Sequence, residues 1–277
     1  MDAWLSIMRS HAYYLRKPTA GVNFMEQSTP SRDDPLRGLR VLVTGGTSGL
    51  GRALVDELHQ HGASVAFVAR SEAAVARVAQ EVPHALGIAG DVADKQAIHR
   101  IALQALGWRG GLDVLVNNAS SLGPVPLAPL ADTDCEAFEE ALDTNVLGPF
   151  RLTKALLGAL AASAREGRGG VVVNVSSDAA VNAYPNWGAY GASKAALLHM
   201  TRIWNEECAA LGIRLLSFDP GDMDTPLHKL AVPEADPATL RRPRASARAL
   251  VHAVAEAVRR ARPADSDALT ERAAASA

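Results

Sequence analysis

The chain is expected to fold as an α/β domain, with a doubly wound parallel sheet covered by helices on both faces. Three observations lead there. From Leu39 onward, short apolar runs alternate with longer amphipathic stretches. The runs are apolar throughout instead of alternating, as strands buried on both faces are. Glycines and isolated polar residues gather just after several of those runs, at the carboxyl ends where such sheets bind ligands.

The expected strands, in order, are LRVLVT (39–44), SVAFVA (64–69), ALGIAG (85–90), LDVLVN (112–117), GVVVNVS (170–176) and IRLLSF (213–218). Helical patterns fill the intervals at 50–61, 72–82, 93–107, 134–163 and 189–211, with another near 246–262. Right-handed crossovers then join successive parallel strands. A seventh strand is doubtful, because only RPADSDALTERAAASA follows the last helical pattern.

The organisation expected is a single domain over 38–262, carrying both cofactor and catalytic sites. It is flanked by a flexible N-terminal extension, 1–37, and a flexible tail, 263–277. The segment MEQSTPSRDDPLRG reads as a polar, proline-punctuated linker. The first residues lack the continuous apolar core and cleavage site of a secretory signal.

Composition excludes several classes. With 48% hydrophobic and 21% charged residues, the chain reads as globular and cytoplasmic. No apolar run reaches the ~18 residues needed to span a bilayer, so no membrane partner is expected. A net charge of −2 gives no basic field for nucleic acid. Cys135 and Cys208 have no metal-ligand spacing and read as reduced core thiols, and no metal site is expected.

VLVTGGTSGLGRAL carries Gly45, Gly49 and Gly51 between the first strand and first helix. Glycine allows a tight turn and close backbone approach, so N–H groups at the helix start can face a phosphate. That placement points to a dinucleotide site. An NAD-preferring site usually has a carboxylate at the end of the second strand. Here Ala69 stands there and Arg70 follows. Arg70 is either a bidentate partner for the extra phosphate of NADP or a solvated residue at a helix start. NADP(H) is the expected cofactor, with NAD(H) possible.

In NWGAYGASKAALLHM, Tyr190 precedes Lys194 by four residues, so both lie on one helical face. A free phenol, with a pKa near ~10, is a poor acid or base at neutral pH. A nearby ammonium would favour phenolate and lower that value. The pair by itself reads more readily as part of a helix surface than as a catalytic pair. On the same helix Ala195, Ala196, Met200 and Ile203 form an apolar stripe.

The motifs TGGTSGLG (44–51), GDV (90–92), NNAS (117–120), TN (144–145), VSS (175–177), YGASK (190–194) and DPGDMDT (219–225) occur in an order that resembles the short-chain dehydrogenase/reductase family. The resemblance covers about residues 38–262 and implies a Rossmann-type fold. It also implies catalytic roles for Asn145, Ser177, Tyr190 and Lys194. Ser177, thirteen residues before Tyr190, would bind the substrate carbonyl. Tyr190 would be the acid/base, Lys194 would bind the nicotinamide ribose, and Asn145 would hold a water beside the lysine.

Cofactor contacts implied by the glycine turn are Gly45, Thr47, Ser48, Gly49, Leu50 and Gly51. Asp91 and Val92 would hold the adenine, although Asp91 could equally be a helix N-cap. Asn117, Asn118 and Ala119 would support the cofactor and the central sheet. Tyr190 and Lys194 would also touch the cofactor, Pro220 and Gly221 would pass beneath the nicotinamide, and Thr225 would reach its carboxamide. Tyr184, Trp187 and Met223 are the candidate substrate contacts, with packing of the helix start an equal alternative for Trp187. Ser120 stands where the family more often has glycine, a mild change in a loop.

The expected function is therefore an NADPH-dependent oxidoreductase that interconverts a carbonyl and an alcohol by hydride transfer. A homodimer or homotetramer is expected, built on the long helices. The alternatives are a turnover-free NADP sensor or scaffold, and a non-redox epimerase or dehydratase of the same fold.

Overall fold

The computed structural model describes residues 34–261 and the two-residue strand Tyr14–Leu15. That strand is β1. It is followed by β2 (Arg40–Thr44), β3 (Ser64–Ala69), β4 (Leu86–Ala89), β5 (Val114–Asn117), β6 (Val171–Val175) and β7 (Arg214–Phe218). All pair in parallel, in the order β1-β7-β6-β5-β2-β3-β4. The chain steps outward from β2 to β4 and then returns to lay β5 on the other side of β2. The direction of winding therefore reverses between β2 and β5, and a crevice opens at their carboxyl ends.

The doubtful seventh strand after the last helix falls outside the described residues, and the seventh strand of the sheet is β1, from the N-terminal side of the domain. Tyr14 pairs with Ser217 and Leu15 with Phe218, covering the free edge of β7. The rest of the expected extension before residue 34, and the tail 263–277, lie outside the described residues. Leu36 is fully buried, so packing begins slightly before the expected boundary at residue 38.

The helices divide between the faces. On one face lie α1 (Gly49–Gln60), α2 (Glu72–Glu81) and α8 (Pro243–Ala261), packing Leu54, Leu58, Val78, Leu250 and Val254 against Val41, Val43 and Phe67. On the other, α3 (Ala97–Arg109) and α5 (Gly148–Arg165) bring Ile101, Leu152, Leu156 and Leu160 onto Leu42, Leu115 and Val172. Each such side chain contributes ~1.5–3 kcal/mol by leaving water. Every residue of β5 and of β6 is buried, which is why those runs show no alternation.

Several expected bounds shift for local reasons. The helix expected from residue 93 starts at Ala97, because Asp91 and Asp94 turn their carboxylates onto the Ala93 and Gln96 N–H groups. The helix expected over 134–163 is α4 (Cys135–Leu142), a π-helical turn at Asp143–Leu147, and α5. The long helix α6 (Gly188–Cys208) buries Leu197, Leu198 and Thr201, whereas Ala196 and Ile203 of the expected stripe face outward. Of the two expected core thiols, Cys208 is buried but Cys135 is exposed at the start of α4. Among the described residues, no helix is long and apolar enough to cross a membrane.

At the amino ends of the strands, fully buried Asp113 ties β2 to β5. Its Oδ2 accepts from the Arg40 N–H (2.7 Å) and Nε (3.0 Å), and its Oδ1 accepts from Arg40 Nη2 and Ser163 Oγ, both at 2.6 Å. Arg168 Nη2 adds a contact at 3.2 Å. Burial alone would raise this carboxyl, but the bonds from Arg40, Ser163 and Arg168 bring it down to about 2.

Candidate active site

The crevice at the carboxyl ends of the strands is a cavity of about 1040 Å³. The glycine turn forms one end. Gly45 and Gly49 have φ of +69° and +51°, a region that side chains disfavour. A Cβ on Gly51 would overlap the Gly45 carbonyl oxygen and stand 2.5 Å from Asn118 Nδ2. Thr44 Oγ1 fixes the opposite wall by accepting from the Asn118 and Ala119 N–H groups at 2.9 and 3.0 Å. Asn118 Nδ2 donates to the Thr44 carbonyl at 2.8 Å. Asn118 thus shapes the turn, while Asn117 is buried and donates to Asn174 Oδ1 at 2.8 Å, inside the sheet.

Thr47, Ser48 and Leu50 line the same end. Arg70 is exposed on its rim, with no ion-pair partner among the described residues. Asp91 closes the turn after β4 by accepting from the Ala93 N–H at 2.9 Å and lines the cavity beside Val92, but it is not a helix N-cap, because the helix begins only at Ala97. Pro220, Gly221 and Thr225 form the floor. Thr225 Oγ1 caps the short helix α7 (Pro226–Ala231) through the His228 N–H at 3.2 Å, and its Cγ2 would be 3.1 Å from a Cβ on Gly49.

Ser177, Tyr190 and Lys194 meet at the other end. Ser177 follows β6, and Tyr190 and Lys194 project from one face of α6. Ser177 and Ser120 line the cavity together with Tyr190. Lys194 is buried, 5.5 Å from the centre of the Tyr190 ring, and its Nζ donates to the Val175 carbonyl at 2.8 Å.

The expected lowering of the phenol by the lysine is not the net result in the protein chain. Burial pushes Tyr190 up to about 12, against the bonds from Ser177 and Ser120, and nearby Asp219 and Asp178 push the same way. Burial also brings Lys194 down to about 7. A buried site disfavours both charged forms, and one ammonium does not reverse that.

Asn145, an expected catalytic residue, does not line the cavity. The π-helical turn points it inward, where Nδ2 donates to the Ser121 carbonyl (2.7 Å) and Ser193 Oγ (2.8 Å). Its Oδ1 accepts from the Ser121 N–H (2.9 Å) and Ser120 Oγ (3.0 Å).

Trp187 both packs the helix start and lines the cavity. Its ring meets Tyr190 edge-on at 5.6 Å and Tyr184 at 6.5 Å. Met223 lines the cavity and also packs against the core below. The sequence assigns no role to two carboxylates near the phenol, although Asp178 follows VSS and Asp219 opens DPGDMDT. Asp178 accepts from Tyr184 Oη at 2.9 Å and Ser177 Oγ at 3.2 Å, and buried Asp219 accepts from the Gly221 N–H at 2.9 Å.

A parallel sheet with a glycine turn at its switch point, and a serine, tyrosine and lysine at the far end of one crevice, defines a dinucleotide-dependent oxidoreductase. Residues 40–236 match the family model described as short chain dehydrogenase, and the chain belongs to that family. It is 35% identical over 200 residues to the 2,5-dichloro-2,5-cyclohexadiene-1,4-diol dehydrogenase of Sphingobium indicum, covering 71% of this chain and 77% of that one. It is 33% identical over 196 residues to the L-xylulose reductase of Bos taurus, covering 71% and 76%. Among solved structures, a 3-ketoacyl-(acyl-carrier-protein) reductase from Brucella melitensis complexed with NADH superposes with a TM-score of 0.75 at 28% identity, covering 80% of this chain and 93% of that one.

Proposed function

We propose that the protein is an NADP(H)-dependent oxidoreductase that interconverts a carbonyl and an alcohol, with Tyr190 as the acid. The observation that carries this reading is the shared crevice: Ser177, Tyr190 and Lys194 stand at one end and the glycine turn with Arg70 at the other.

The residues fit a nicotinamide dinucleotide. The Gly45–Gly51 turn is a cradle that a Cβ would fill. Lys194 uses one of its three donors on Val175, and the others have no protein acceptor among the described residues, which suits a ribose diol. Arg70, with Ala69 in place of a carboxylate, favours the phosphorylated dinucleotide. The cofactor supplies the hydride chemistry when bound.

The chain supplies position and the proton. Ser177 Oγ donates to the carbonyl oxygen and so orients it. Tyr190, kept neutral by burial, is in the form a proton donor requires at neutral pH. In the reverse direction Tyr190 must first be ionised, so alcohol oxidation should rise with pH. Trp187, Leu122 and Leu227 form an apolar wall on the substrate side, which supports a hydrophobic or planar carbonyl compound.

We also infer a homo-oligomer built on α5 and α6. Phe150 stacks on Trp204 at 5.3 Å, and Leu147, Phe150 and Ile203 stay 37–47% exposed beside each other in sequence or stacking.

The test of cofactor choice is a fluorescence titration with NADPH and NADH, followed by Arg70→Ala. Losing the bidentate contact should weaken NADPH ~10- to 100-fold and leave NADH within about twofold. Equal losses for both would remove Arg70 from the phosphate site, and failure to bind either would overturn the reading.

A further inference from the structure

Asp178 directly follows the carbonyl donor Ser177, yet nothing in the proton chemistry requires a carboxylate there. Burial already disfavours the phenolate of Tyr190, and the charge of Asp178 adds to that. A carboxylate that opposes this ionisation and still lines the cavity calls for another role.

Its contacts indicate which. Asp178 is half-buried and opens the 3-10 turn Asp178–Ala180 behind β6. Its Oδ1 accepts from Ser177 Oγ at 3.2 Å and its Oδ2 from Tyr184 Oη at 2.9 Å. The Tyr184 ring meets the Trp187 ring at 6.5 Å, so the carboxylate and the apolar wall border the same space. The Ser177 proton thus rests on Asp178. That contact is long for a hydroxyl on a carboxylate, normally ~2.5–2.7 Å, so the proton is released at little cost. Ser177 Oγ itself keeps its place, because it also accepts from the Ala179 N–H at 3.2 Å.

A serine hydroxyl has a single proton to donate. When Ser177 turns it to a substrate carbonyl, Asp178 Oδ1 loses a donor, and a donor on the substrate restores the balance. Standard bond lengths place two oxygens on neighbouring carbons, turned to one side, about 2.7 Å apart. Ser177 Oγ and Asp178 Oδ1 are separated by 3.2 Å. A carbonyl oxygen and a hydroxyl on the adjacent carbon therefore reach both groups together at ordinary hydrogen-bond lengths.

We propose that Asp178 is a substrate-binding residue and that the substrate is an α-hydroxy carbonyl compound with an apolar body. Its carbonyl oxygen accepts from Ser177 Oγ, and its hydroxyl donates to Asp178 Oδ1. The inference rests on Ser177 being the carbonyl donor of the proposed reaction. Reduction leaves a vicinal diol. The carbonyl carbon gains a hydride from the reduced dinucleotide, the carbonyl oxygen gains the Tyr190 proton, and the neighbouring hydroxyl keeps its bonds. The same carboxylate repels a substrate that carries a carboxylate at that position.

The experiment compares three aryl ketones: hydroxymethyl phenyl ketone, methoxymethyl phenyl ketone and phenylglyoxylate. The methoxy compound keeps the oxygen and removes only the donor. NADPH oxidation gives kcat/KM. Tryptophan fluorescence with NADP bound gives Kd, read as the signal that a Trp187→Phe protein lacks. A hydrogen bond to a charged group is worth ~10- to 100-fold, so wild type should favour the hydroxy over the methoxy ketone by that factor in both readouts. It should bind phenylglyoxylate weakest. Asp178→Ala should bring the hydroxy/methoxy ratio to within about threefold of one. Asp178→Asn, which keeps the size and removes the charge, should lower the ratio and admit phenylglyoxylate ~10-fold better.

A wild-type ratio near one, or an unchanged ratio in a folded Asp178→Ala, would overturn the proposal. A carboxylate that only ties down Tyr184 would not tell a hydroxyl from a methoxy group. If Asp178→Ala does not fold, the isosteric Asp178→Asn decides under the same criterion. Absence of turnover on every ketone would instead defeat the proposed function. The ratio of dissociation constants would still decide the role of Asp178, and no binding of the hydroxy ketone would overturn it as well.

Discussion

Replacing Asp113 with asparagine tests whether the ion cluster at the amino ends of β2 and β5 contributes to stability. The carboxyl ionises near about 2 in the folded chain, against 3.8 for an unperturbed group. Its folded value is depressed, so the contribution is full above ~pH 4 and is lost as pH falls through about 2. At ~1.4 kcal/mol for each pH unit between those values, the linkage amounts to about 2 kcal/mol.

Asp113→Asn also leaves Arg40 facing a neutral amide, so a total loss of about 2–4 kcal/mol is expected at pH 7. Denaturant melts of both proteins at several pH values would measure this. The gap in unfolding free energy should narrow by about 2 kcal/mol between ~pH 5 and ~pH 2. Cofactor affinity should stay unchanged, since the cluster lies at the opposite end of the sheet from the cavity. A gap that is constant with pH would show that Asp113 is not held ionised by these partners.

Other consequences are simpler to read. Gly51→Ala places a methyl group on the Gly45 carbonyl, so dinucleotide binding should fall at least ~10-fold while the melting curve keeps its cooperative form; unchanged binding would remove the turn from the site. Trp187→Ala should lower kcat/KM for aromatic ketones ~10-fold more than for short aliphatic ones, in a steady-state comparison of both series, if the wall formed with Tyr184 and Tyr190 contacts the substrate; equal losses would leave Trp187 a packing residue alone.

The central sheet was legible because burial on both faces writes itself as uninterrupted apolar runs such as VLVN and VVVNV. The site was legible where residues are tied to those strand ends by short spacing, as Ser177, Tyr190 and Lys194 are. What spacing could not reveal was contact between distant loops. Asp178 and Asp219 come from two separate strand ends, after β6 and β7, and both disfavour the ionised form of one phenol. Tyr14–Leu15 is too short to carry a strand signal, and its pairing depends on the free edge of β7. The π-helical turn that aims Asn145 inward has no compositional mark either.

Tyr190→Phe provides the most direct test of the proton-donor assignment. The variant is titrated with NADPH by fluorescence and then mixed with a carbonyl substrate that the wild type reduces, following NADPH oxidation. Phenylalanine keeps the ring against Trp187 and removes only the hydroxyl. Binding within about twofold of wild type, with turnover reduced at least ~100-fold, is the expected result. Turnover near the wild-type rate would contradict the account, because no proton donor would then be missing.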